Sequence, residues 1–280
     1  MPLYGVAACA GLFALLLVLA YTSARARHFD ASALQGFVVL PTGGRAETFA
    51  QRVAQVADPG SVALIALVLA GVALLRGRPR IALAVLLLVV ATSVSSQVLK
   101  TVLTYPRDAA LVGAKAFPSG HSTAAMTLAF CGVLVAPARL RPLAALLGLV
   151  FALGVAFSVV SLSWHYPSDV VGGYLLATGW TLAVVSGLLW LEQRRPERPG
   201  QVAIAARAAV DRVAAVGLVS AVVAGAALAA LAVVVVVVTR RPDFGGFVER
   251  HTAAVVVAPL IVAAGAALLA AVTALLKRDQ

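Results

Sequence analysis

Residues 143–163, "LAALLGLVFALGVAFSVVSLS", run for 21 positions without a charged side chain. A helix of that length rises about 30 Å, the thickness of a bilayer's hydrocarbon core. In lipid every backbone N–H and C=O must find its partner within the protein, so a span is either a helix or a strand of a closed barrel. A barrel shows short segments of alternating polarity; this chain shows continuous apolar runs instead. The expectation is an all-α, polytopic transmembrane helix bundle. Eight spans are predicted, at about 5–22, 60–76, 81–99, 121–138, 143–163, 168–191, 213–238 and 253–276. Composition agrees, with 12% charged residues against about 25% in soluble domains, and a mean hydropathy of +1.00.

The polar segments divide the chain into a six-helix unit over 1–192, a polar cytoplasmic linker over 193–212 that begins in "EQRRPERPG", and a C-terminal transmembrane hairpin over 213–280. The segment "SARA" after the first run resembles a leader cleavage site, but "MPLYG" lacks the positive charge of a leader, which favours a retained helix. Residues 23–59 read as the longest outer loop. Within it "AETFAQRVAQVA" puts Phe49, Val53 and Val56 on one face of an interfacial helix.

The net charge of +11 raises the possibility of nucleic acid, yet the basic residues are scattered through short loops. Positive-inside orientation and anionic lipid headgroups explain them better. With the N-terminus inside, the cytoplasmic segments collect Arg76, Arg78, Arg80, Arg139, Arg141, Arg194, Arg195, Arg198, Arg207, Arg212, Lys277 and Arg278. This orientation puts the remaining polar motifs on the extracytoplasmic face of a multi-pass cell-membrane protein. Cys9 and Cys131 lie inside apolar runs and have no metal-ligand spacing, so they read as core residues.

Three polar clusters map to that face: "KTVLTYPRD" with Lys100 and Arg107, "FPSGHS" with Ser119, Gly120 and His121, and "SVVSLSWHYPSD" with His165 and Asp169. Pro118 and Pro167 suit the first turn of a helix, which would leave backbone amides open at Ser119, Gly120 and His121. A helix start of this kind binds anions, phosphate above all, and Lys100 and Arg107 add fixed positive charge. Asp169 stands one turn beyond His165. A carboxylate there fixes the tautomer, supports the developing imidazolium and leaves Nε2 free as a nucleophile. His121 remains as general acid. Taken singly, each feature has a plainer reading: a structural His–Asp pair, a cap at Asp169, snorkelling cations. Their joint occurrence on one face favours a phosphoryl-transfer site over a metal site, because no further carboxylate lies near His165 and Asp169 in sequence.

These motifs resemble the type 2 phosphatidic acid phosphatase family, which shares its site with vanadium haloperoxidases. The match rests on "KTVLTYPR", "PSGH" and "HYPSD", and takes in "FDASAL" before the second span. The resemblance covers about residues 1–192. It implies a lipid phosphate or pyrophosphate phosphatase, of polyprenyl or glycerolipid substrates, that needs neither metal nor cofactor. His165 would form a phosphohistidine, Asp169 would orient it, and His121 would protonate the leaving group. Lys100, Arg107, Ser119 and Gly120 would hold the phosphoryl oxygens. Two positions depart from the pattern: Asp108 replaces a proline, and Val159 replaces the arginine of the third motif. Lys115, before "FPSGH", is a candidate substitute for that arginine. Val159 keeps an alternative open, that of a weakened or inactive member acting as a phospholipid-binding, scaffold or flippase-like protein.

Overall fold

The computed structural model describes residues 2–39, 44–103, 112, 117–194 and 244–278. The seventh predicted span and the linker beyond Arg194 lie outside them. Among the described residues every regular element is a helix: α1 Pro2–Thr22, α2 Ala24–Val38, α3 Gly44–Gln55, α4 Pro59–Leu75, α5 Pro79–Val102, α6 Gly120–Val135, α7 Arg141–Ser161, α8 Pro167–Arg194, α9 Phe244–Arg250 and α10 Thr252–Arg278, with a short 3₁₀ turn at Ala138–Leu140. Prolines open α4, α5, α7 and α8, where a missing N–H is harmless and φ is already helical.

Predicted spans one to six and eight each fall on a helix; the seventh lies outside the described residues, so the count of eight is not confirmed. Among the described residues five helices are long and apolar enough to cross a membrane, and α3 with α4, bent by 51° at their junction, makes up to six. The helix α6 has 16 residues and rises only about 24 Å. It does not have to match the lipid thickness, because 12 of those residues are buried inside the bundle. It packs against α4, α5, α7 and α8 and forms the axis of the core. The other spans present their large apolar side chains outward, Leu64, Leu83, Val94 and Leu260 among them, as lipid-facing helices do.

The segment 23–59, expected to be a loop, is mostly helical. Ser23 caps α2 by accepting from the Ala26 amide, and α2 buries Ala33, Leu34 and Phe37 against the bundle. On α3 the buried face is formed by Ala50 and Ala54, while Phe49 and Val56 are exposed. Phe49 and Val56 are thus left facing outward, whereas Val53 is partly buried and packs beside Gly154 of α7. Small residues let α3 approach α7 closely.

The helix α10 is seated on this core, against α2, α7 and α8. Ala254, Val257, Ile261, Leu269 and Val272 belong to the same apolar cluster as Phe130, Val155 and Tyr174. Arg141 Nη1 donates to the Leu276 carbonyl at 2.7 Å, satisfying one of the open carbonyls in the last turn of α10. The contact with α2 depends on Gly36, where a Cβ would stand 2.5 Å from Ala254 Cβ and 3.0 Å from His251 Cβ. Gly36→Leu should therefore force α2 and α10 apart and destabilise the protein by about 1–3 kcal/mol. Gly11→Leu, in open space, should not. Thermal unfolding in detergent checks this; equal midpoints for the two variants would mean that α10 does not rest on α2.

Candidate active site

Helices α4, α6 and α8 begin, and α5 and α7 end, at one end of the bundle, so the described parts of the three polar motifs, with Lys100 from the first, share that end. The turn between α7 and α8 is tight: Ser163 takes a positive φ of 57°, and the amides of Trp164 and His165 both donate to the Val159 carbonyl. This folds His165 back over the core, where it is buried.

Asp169, in the first turn of α8, is wholly buried. Its Oδ2 accepts from the Tyr166 amide at 2.9 Å and lies 3.6 Å from His165 Nδ1. That separation is slightly beyond hydrogen-bond length, but it places the carboxylate on the predicted ring nitrogen. The main chain of Asp169 also matters, because its carbonyl accepts from the Ser119 amide at 2.9 Å. The start of α6 is thereby tied to the start of α8.

That tie corrects part of the sequence reading. The helix α6 begins at Gly120, with Ser119 as its N-cap, and Ser119 Oγ accepts from the Ser122 amide. Pro118 thus precedes the helix, and the Ser119 amide is engaged by Asp169. Among the described residues the amides of Gly120 and His121 carry no hydrogen bond, and they point from a helix end with partial positive charge. Lys100, in the last turn of α5, reaches over this end: a Cβ on Gly120 would stand 3.2 Å from Lys100 Nζ. The His121 and His165 rings face one another with centroids 6.4 Å apart, and Trp164 lies 5.4 Å from His121. Arg107 and Lys115 lie outside the described residues. Val159 is wholly buried in the apolar cluster with Val155, Ala156 and Val160.

Two carboxylates at this end were not anticipated. Asp58, at the junction of α3 and α4, lies with Oδ1 3.0 Å from His121 Nε2. Asp30, on α2, accepts from the Ser168 amide at 3.1 Å and from its hydroxyl at 2.5 Å, which fixes the segment carrying His165. In sequence Asp58 reads as the start of a span, in "ADPG". The signal for Asp30 was its place in "FDASAL". Among the described residues no three His, Cys, Asp or Glu side chains converge closely enough to hold a metal ion.

The fold and this end together describe a multi-pass helical membrane protein with a clustered polar site. The family profile described as PAP2 superfamily matches residues 60–193, from α4 to the end of α8. The chain also resembles the crystal structure of the first transmembrane PAP2 type phosphatidylglycerolphosphate phosphatase from Bacillus subtilis. The TM-score is 0.54 and the identity 21%, over 70% of this chain and 100% of that one. At that identity the likeness establishes a transmembrane PAP2 fold. No curated protein matches the chain.

The tie between α6 and α8 depends on Gly173. A Cβ there would stand 2.8 Å from the Ser119 carbonyl oxygen, 2.9 Å from Thr123 Oγ1 and 3.0 Å from the Thr123 amide. Gly173→Ala should push α8 away from the α6 cap, lower stability by about 1–3 kcal/mol and speed hydrogen exchange across residues 117–124. Gly187→Ala, in open space, should do neither. Unaltered exchange in Gly173→Ala would mean that the cap does not depend on this close approach.

Proposed function

We propose that the chain is a PAP2-type phosphatase that hydrolyses lipid phosphates or pyrophosphates, polyprenyl or glycerolipid, through a phosphohistidine. The observation that carries this reading is the convergence of the His165–Asp169 pair, His121 and Lys100 around the start of α6. In this reading His165 Nε2 attacks phosphorus, since Nδ1 is the nitrogen that faces Asp169. The amides of Gly120 and His121, with Lys100, receive the phosphoryl oxygens; Ser119 shapes that cradle as its cap, and Arg107 adds charge from the neighbouring motif. His121 gives a proton to the departing oxygen. A site at helix ends suits an amphiphile, whose phosphate meets the cations while its tail stays in lipid. Phosphate transfer to an acceptor other than water is a close variant of the same chemistry.

A second reading, a phospholipid-binding member with little or no turnover, draws on one observation. Val159, where the family pattern carries arginine, is packed in the apolar core. Losing one preorganised donor to the transferring group costs about 3–4 kcal/mol, roughly a hundred- to a thousandfold in rate. Slow hydrolysis is therefore expected, with Lys115 the proposed partial substitute.

Labelled phosphate trapped on His165 separates the two readings. His165→Ala should abolish both trapping and phosphate release, and Asp169→Asn should retain activity lowered by about a thousandfold or more, because the imidazole remains without its orienting charge. EDTA should change neither protein. Full phosphate release by His165→Ala would end the mechanism.

We also propose that the site faces the extracytoplasmic side, a reading supported by the cluster of arginines at the opposite end of the bundle. Cys9 and Cys131 are buried, so single cysteines can report topology. Thr101→Cys, exposed beside Lys100 at the site end, should react with an impermeant maleimide in intact cells. Arg139→Cys, exposed at the other end, should react only after permeabilisation. The reverse pattern would invert the orientation.

A further inference from the structure

Asp58 occupies the N-cap of α4, yet its side chain makes no capping hydrogen bond. An Asp at that position ordinarily accepts from the second or third amide of its helix, a contribution of about 1 kcal/mol. Here the carboxylate turns to His121 Nε2 instead. Stability does not account for the exchange: the two side chains are 49% and 24% exposed, and a part-exposed hydrogen bond or ion pair of this kind contributes about 1 kcal/mol or less. The contact gains nothing over the cap it displaces, which points to a role in the site.

Among the described residues three charged or titratable side chains face His121: Asp58 from the α3–α4 corner, His165 from the α7–α8 turn and Lys100 from the end of α5. Of these, Asp58 is the carboxylate in direct contact with the ring. Among the described residues His121 Nδ1 carries no hydrogen bond, so it is the nitrogen left for chemistry.

We propose that Asp58 is the positioning residue of the general acid: it anchors His121 through Nε2 and leaves Nδ1 to deliver the proton. The inference rests on the phosphatase reading above and deepens it. The site then holds two carboxylate–imidazole pairs wired in opposite senses. Asp169 faces Nδ1 of His165 and leaves Nε2 as nucleophile, whereas Asp58 holds Nε2 of His121 and leaves Nδ1 as acid. As the P–O bond breaks, its electron pair passes to the ester oxygen, which takes the Nδ1 proton. The ring, an imidazolium before the step, is left neutral, with Nε2–H still on Asp58. Water then attacks the phosphohistidine, its proton goes to Nδ1, and the electron pair of the P–N bond returns to His165 Nε2. Asp58 keeps the ring's tautomer fixed throughout and supports its charged form while a phosphate dianion is bound.

The test compares leaving groups. An alkyl phosphate needs a proton on its departing oxygen and an aryl phosphate such as 4-nitrophenyl phosphate does not, and kcat/KM reports the steps up to phosphohistidine formation. In Asp58→Asn, which retains a good N-cap, the alkyl substrate should lose about a hundredfold more kcat/KM than the aryl one. Asp58→Glu should recover most of that difference. Equal losses on both substrates, or no loss on either, would overturn the proposal. A second measurement needs no turnover: ¹⁵N spectra of the detergent-solubilised full chain should show His121 fixed as the Nε2–H tautomer, and Asp58→Ala should lose that preference. Identical ring-nitrogen shifts in the two proteins would also overturn it. Absence of phosphate release from the unmodified protein would instead count against the phosphatase reading, and the spectra would still decide whether Asp58 governs His121.

Discussion

A single main-chain hydrogen bond, from the Ser119 amide to the Asp169 carbonyl, fixes the level at which α6 and α8 begin relative to each other. His121 stands two residues after one partner and His165 four residues before the other, so their facing arrangement follows from that tie. Small residues make it possible. Gly173 lets the α8 backbone lie against the Ser119 carbonyl, and the neighbouring Gly172 leaves room for the Phe117 ring, to which a Cβ would come within 2.7 Å. Phe117 in turn packs against Phe13 and Tyr21 of α1. The first helix therefore braces the loop that presents the α6 cap.

Lipid dictates where everything polar can go. Within the spans, Thr92, Thr127, Thr178, Thr181 and Thr273 donate to carbonyls one turn earlier on their own helices, so none requires an external partner. Among the described residues charge lies toward the two ends and does different work at each. At the end away from the site, Arg78 donates to the Leu134 carbonyl in the last turn of α6 and Arg80 pairs with Glu192. Cations there meet the negative ends of helices and fasten α5 to α6 and α8. At the site end, the start of α6 presents partial positive charge, and the carboxylates of Asp58 and Asp169 lie beside imidazoles instead of capping amides on α6.

The spans were legible because lipid imposes length and continuity, and sequence displays both. The convergence of Lys100, His121, His165 and Asp169 was legible because motifs at helix ends on one side of a membrane have little room in which to separate. What escaped was whatever depended on packing between helices. The protein-facing side of α3 is formed by the small Ala50 and Ala54 with the partly buried Val53 beside Gly154 of α7, a close approach that a hydrophobicity pattern does not display. Pro118 read as a first-turn residue, yet the bond from Ser119 to Asp169 moved the helix start to Gly120. Asp58 and Asp30 stand far from the motifs in sequence, and only the fold brings α2 and the α3–α4 corner over the site. The length of α6 could not be inferred from its apolar run either, because a helix surrounded by protein is released from the bilayer's thickness.

On the phosphatase reading, the composition of the site bears on how it would work without the arginine. Among the described residues Lys100 is the cation that lies over the α6 start, beside a helix terminus equivalent to about half a charge. A wholly buried Val159 contributes shape and no charge. A membrane lipid arrives with its tail already in the bilayer, so the tail raises the concentration of phosphate at the site and adds no force in the transition state. Concentration fills a site, whereas only interactions that strengthen on the way to the transition state accelerate the chemical step. The two deficits therefore separate: occupancy can be maintained by the membrane, but charge developing on the transferring group has to be met by Lys100, the α6 amides and the cations of the neighbouring motif. A missing guanidinium then lowers kcat more than it weakens binding, and the two carboxylate-held histidines carry a larger share of the remaining rate.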